Sequence, residues 1–97
     1  MSVYVIAALT KTDEARYQKY IEGGRRSLEP LPESRLAADD APVLLEGILP
    51  AHRIVLLRFV DNAEFEGWWN SPEYRAAVPH RHASSETSFI IKVRGHQ

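Results

Sequence analysis

Apolar positions along the chain fall into two periods. Residues 3–9, VYVIAAL, are apolar at consecutive positions, and 53–60, RIVLLRFV, repeat the pattern with Arg58 as the interior exception. Continuous β-branched runs of this length predict strands buried on both faces. Between them the period changes. Tyr17, Tyr20, Ile21, Gly24 and Leu28 recur at i, i+3, i+4, i+7 and i+11, one face of a helix that polar Lys11 to Asp13 would start. Gly23-Gly24 weakens its second half, and Pro30 and Pro32 end it.

Ser34 to Asp39 is a weak strand candidate, and APVLLEGILP (41–50), bounded by Pro42 and Pro50, a firmer one; the two would be pieces of the second strand. Asp61 with Glu64 three residues on resembles a capping box, so a second helix starts there with Phe65, Trp68 and Trp69 as its inward face. Ser71-Pro72 stops it and opens a further short turn, with Ser71 as N-cap. Tyr74, Ala77 and Val78 share a face of that turn, and Pro79 closes it. Thr87 to Arg94 alternates, with Phe89, Ile91 and Val93 on one side. The order is β-α-β-β-α-β, a single α+β domain over 1–97 without repeat or linker.

Two helices cover only one face of such a sheet. Its strands nevertheless read as apolar on both faces, and a patch that size exceeds what monomers usually expose. A second copy about a two-fold axis would bury it. The pattern therefore predicts a homodimer through the sheet face opposite the helices, built from strands one, three and four. Val55 or Leu57, whichever faces the partner, is the position at which a charge would break it.

Composition narrows the function classes. At 97 residues there is room for one modest core, and the chain is 44% hydrophobic and 26% charged, as ordinary globular domains are. A net charge of −1 with dispersed basic residues argues against a nucleic-acid partner. The chain has no cysteine, which excludes disulfides, zinc ribbons, iron–sulfur clusters and a thiol nucleophile. The 3–9 run is too short to span a bilayer and has no basic residue before it, so the expectation is a cytoplasmic protein with no membrane association.

Several stretches resemble a known family. YVIAALTKTDEARYQKYI (4–21), with Asp13, Tyr17 and Tyr20, the LEG at 45–47, the Arg-hydrophobic-Phe strand, and above all W-x-S-P-E-Y at 69–74 followed by Arg81, are similar to the domain-of-unknown-function thirteen-thirty family. The resemblance spans nearly the whole chain. It implies a ferredoxin-like α+β sandwich that pairs as a dimeric α+β barrel. The sequence departs from the family where SLEPLPESRLAADDAP (27–42) replaces a glycine-rich turn. The structural relatives so implied include cofactor-free monooxygenases, lactone isomerases, chlorite-dismutase-like haem proteins and stress-response proteins, and fold does not choose among them.

The candidate chemistry lies mainly between Trp68 and Thr87. Adjacent tryptophans sit about 100° apart on a helix, so one fills the core and the other reaches an edge or a cleft mouth. Trp69 and Tyr74 are candidate substrate-binding residues, Tyr74 because its hydroxyl needs a partner if buried. Arg81 presents a fork suited to carboxylates, either a protein acid such as Glu46 or an anionic ligand. Glu46, inside an apolar run, is either solvated at an edge or paired, or is a buried general base of raised pKa. In an extended segment His80 and His82 would point the same way; two ligands do not make a metal site, and as general bases both suit neutral pH. Ser84-Ser85 lacks a nucleophile-elbow context, Gly23-Gly24 follows a helix instead of leading into one, and no nucleotide or flavin fingerprint is present. The expectation is therefore a site without metal or cofactor. It would belong to a cofactor-independent enzyme acting on a small anionic or phenolic molecule, with His80, His82 or Glu46 moving a proton. The other readings are a non-catalytic binding or stress-response module, and a structural dimer.

Overall fold

The computed structural model describes residues 1–96. β1 (Val3–Lys11) is central to the sheet, with β3 (Arg53–Phe59) on one side and β4 (Ser85–Arg94) on the other; β2 (Arg35–Asp39) is the edge beyond β3. All three pairings are antiparallel. The helices α1 (Glu14–Ser27), α2 (Asn62–Trp69) and α3 (Pro72–Ser84) complete a β-α-β-β-α-α-β chain. Asp13, Asp61 and Ser71 cap them by accepting from the backbone N–H groups of Arg16, Glu64 and Tyr74 at 3.0, 2.8 and 3.1 Å.

Register sorts the strand residues into two faces. Val3 opposes Phe59, Val5 opposes Leu57 and Ala7 opposes Val55, and this set turns towards the helices. There Val3, Val5, Leu57 and Phe59 pack with Leu28, Trp68, Tyr74 and Val78 into the core. The intervening set faces away: Ile6 lies between Leu56 and Ile91, Ala8 between Ile54 and Phe89, and Tyr4 beside Val93. Ile91 and Val93 are 44% and 39% exposed. The domain measures 34 × 32 × 18 Å, the short dimension being one sheet and one layer of helices. Val55 and Leu57 thus belong to the helix side, and Ile54 and Leu56 to the open face.

Two expectations are corrected. The 41–50 run forms no strand: the weak candidate at 34–39 supplies β2, and the firmer one is the loop that joins Asp39 to Arg53. Pro42 and Pro50 lack the N–H a ladder needs, and Gly47 has φ +98°, outside any strand. An apolar run alone does not specify a strand, and this one leaves Val43, Leu45 and Ile48 more than four-fifths exposed. Glu46 is accordingly an exposed loop residue, not a carboxylate within a strand.

Pro79 does not end the helical turn. It lies inside α3, which continues to Ser84. The missing proline N–H deprives the Arg75 carbonyl of its helical partner, but both residues lie on the exposed side, where water can satisfy it. At the far end the Ser84 and Ser85 hydroxyls donate to the carbonyls of His80 and Arg81 at 2.5 and 2.7 Å. His80, Arg81 and His82 are therefore helical. His80 and His82, two apart, point about 200° from each other, so they cannot share one ion. No helix among the described residues is long and apolar enough to cross a membrane.

Candidate functional site

A cleft opens between α1 and the helix-facing side of β1 and β3, closed at one end by α2 and α3. Its cavity volume is about 70 Å³, and about 650 Å³ when the space of its solvent-open mouth is counted. Val5, Ala7, Val55 and Leu57 form its floor, Tyr17 and Tyr20 one wall, and Trp68, Trp69 and Tyr74 the closed end. Each wall follows from periodicity: Tyr17, Tyr20 and Gly24 are the inward stripe of α1, and Ser71-Pro72 turns the chain so that Tyr74 faces back at them.

The aromatic end is tightly built. The Trp68 and Tyr74 ring centroids are 4.2 Å apart, and those of Trp69 and Tyr74 5.5 Å. Trp68 is the core tryptophan, buried with its Nε1 donating to Ser27 Oγ at 2.9 Å. Trp69 is the cleft tryptophan, half-buried under the Arg75 guanidinium at 4.7 Å. The hydroxyls of Tyr20 and Tyr74 meet at 2.9 Å. Burial raises the Tyr20 pKa above the ordinary tyrosine value, the Tyr74 hydroxyl adds to this, and Arg81 opposes it without prevailing. Tyr17 is raised by burial too, against the pull of Arg53.

Arg81 is 5% exposed, and its guanidinium lies 5.9 Å from the Tyr20 ring centroid. Nη1 donates to Thr87 Oγ1 at 2.9 Å, while Nε is buried without a partner. Among the described residues no carboxylate pairs with it. That is an expensive arrangement, because a buried cation without a counter-charge forfeits several kcal/mol of hydration. Arg53 at the other end of the cleft is instead neutralised: its Nη1 meets Asp40 Oδ1 at 2.8 Å, and Lys11 joins the same carboxylate at 3.3 Å. The hydrogen bond from Arg53 holds the Asp40 carboxyl below its usual pKa.

Of the residues singled out from sequence, Tyr74 and Trp69 line the cleft and Arg81 backs it. His80 is half-buried on α3 with Nδ1 unpartnered; His82 and Glu46 are exposed, and none of the three lines the cleft. Tyr20 and Arg53 do line it, and sequence reading assigned both only to packing elements. The available signal was chemical: a tyrosine hydroxyl on an inward stripe and an arginine opening an apolar strand both require partners. Among the described residues no three His, Cys, Asp or Glu side chains gather as a metal-binding group.

The strand order, the one-sided helix layer and the aromatic cleft together define a ferredoxin-like α+β domain with a pocket between its layers. The chain belongs to the family Domain of unknown function (DUF1330), whose model matches residues 2–95. Among solved structures it is similar to RPA0582, a protein of unknown function from Rhodopseudomonas palustris, at 18% identity over 99% of this chain and 83% of that one, with a TM-score of 0.77. A dimeric ferredoxin-like protein of unknown function from Jannaschia sp. CCS1 is similar at 14% identity over 98% and 100% of the two chains, TM-score 0.71. SnoaB, a cofactor-independent oxygenase from Streptomyces nogalater, is similar at 12% identity over 99% and 94%, TM-score 0.69. At these identities the likeness is one of fold. No curated protein matches the chain.

Proposed function

We propose that this protein is a homodimeric, cofactor-independent enzyme acting on a small anionic or phenolic molecule bound in the cleft. The observation that carries the reading is the pairing of an aromatic slot with Arg81, a buried cation lacking a protein carboxylate. Trp69 and Tyr74 would clasp a planar body, and Arg81 would supply the charge that holds an anion. His80 and His82 both adjoin Arg81 in the chain; half-buried His80 would be the proton carrier, and exposed His82 and Glu46 would serve only if the partner copy covers them. The fold shared with a cofactor-independent oxygenase makes such chemistry available to this scaffold without assigning it. The site of action would be the cytoplasm.

A metabolite panel rich in phenols and aromatic acids, screened by thermal shift, should yield hits that stabilise the protein in proportion to ligand concentration. Hits incubated with protein, oxygen and no added cofactor should turn over. Binding without conversion would replace the enzyme with a binding module, and a panel without hits would leave a structural dimer.

A further inference from the structure

We propose that the Tyr20–Tyr74 hydroxyl pair, backed by the buried guanidinium of Arg81, is an oxyanion-binding point, and that the cleft holds phenols or enols more acidic than tyrosine as their phenolate or enolate anions. This rests on the reading of the cleft as a small-molecule site and deepens it to a chemical class. Two phenols joined at 2.9 Å use one hydroxyl hydrogen between them, and the second remains free to donate. Both side chains line the cleft, Tyr74 buried at its closed end and Tyr20 half-buried, so a ligand oxygen seated against the pair would meet that hydrogen. Tyr20 stays protonated, and so remains a donor, because its burial outweighs the Arg81 charge. Donors fixed beforehand in a water-poor slot favour the group on which negative charge develops.

The surrounding charges agree. The groups facing the cleft are Arg25 and Tyr17 on α1, Arg35 on β2 and Arg53 on β3, with Arg75 on α3 over the Tyr74 ring at 5.2 Å and Arg81 on α3 behind Tyr20. Lys11 and Asp40 lie at the Arg53 end, where Asp40 is held by both cations. His80 on α3 is half-buried outside the cleft, and Lys92 on β4 is engaged by Asn62. No unpaired carboxylate faces the hydroxyl pair among the described residues. A neutral phenol entering the site breaks its O–H bond and gives the proton to solvent; a phenolate enters without proton exchange.

The probe is 4-nitrophenol, whose phenol and phenolate absorb in different regions, titrated with pH in the presence of saturating full-length protein. The bound probe should titrate at least one pH unit below the free probe, meaning that phenolate binds about tenfold or more tightly than phenol. Tyr74→Phe, which removes one oxygen and keeps the ring, should shrink that displacement several-fold. Arg81→Gln should do the same where circular dichroism shows it folded. A bound probe that titrates at or above its free value overturns the proposal, as does a displacement that survives Tyr74→Phe. Failure of 4-nitrophenol to bind also overturns it. In that event benzoate binding leaves the wider pocket reading standing, and its absence removes both.

Discussion

At the scale of single residues, the cleft is organised by groups that pay opposite electrostatic terms. Tyr20 is held neutral by burial and by the Tyr74 hydroxyl, while Arg81 remains a cation beneath its ring. The raised Tyr20 pKa has a definite sign for stability. The folded state retains its proton more firmly than the unfolded chain, so the contribution is complete below the ordinary tyrosine value of 10.0 and is lost as pH rises beyond it. Thermal unfolding midpoints should therefore fall more steeply above that pH than the surface charges require. Tyr20→Phe should reduce the alkaline slope without removing it, since Tyr17 is also raised, and should cost about 1 kcal/mol at neutral pH by leaving Tyr74 without its partner. An unchanged slope would show that Tyr20 does not titrate differently on folding. Little of this was legible in the sequence. W-x-S-P-E-Y located Tyr74 and Trp69, but the partner of Tyr74 comes from 54 residues away, a pairing that only tertiary packing creates.

The same limit appears between elements. Periodicity identified β1, β3, β4 and α1 because their apolar residues repeat in the period of the structure they form. It misplaced β2, since the 41–50 run is more apolar than the strand beside it yet carries two prolines and a positive-φ glycine. It also stopped α3 at Pro79, where the cost of one lost bond on the solvent side is smaller than the gain from burying Ala77, Val78 and Arg81 in one continuous face. Gly23-Gly24 illustrates how two identical letters differ once helices meet. A Cβ at Gly23 would stand 2.9 Å from the Ala77 Cβ, so α1 and α3 approach there at glycine distance; at Gly24 nothing lies within 4 Å. Gly23→Ala should lose about 1 kcal/mol or more, as overpacking exceeds the gain in helix propensity. Gly24→Ala should gain up to about 1 kcal/mol. Chemical denaturation of the two variants checks the pair, and equal effects would contradict the close approach.

For the whole molecule the governing fact is its thinness. One broad side of the 34 × 32 × 18 Å domain is the uncovered face of its four-stranded sheet, where a standard stable interface would bury roughly 800 Å² per partner. Ile6, Ile54, Leu56, Phe89 and Ile91 make that side apolar, which agrees with the dimer expected from patterning. The residue to test is Leu56 and not Val55 or Leu57, whose side of β3 is already used by the core and cleft. Leu56→Glu should convert a dimer into a monomer or an unfolded chain in sedimentation at micromolar concentration, and a wild-type protein that sediments as a monomer would remove the dimer. Register carries a consequence for how this chain can vary in length. Arg53, Val55 and Leu57 serve the cleft, and Ile54, Leu56 and Arg58 the open face, interleaved along one strand. Gaining or losing a single residue inside β3 would exchange the two sets beyond that point, sending the cleft wall outwards and the open-face residues inwards. Length changes in this strand can be neutral only in pairs or when absorbed by a bulge, whereas the 41–50 loop, outside the ladder, is free of that parity.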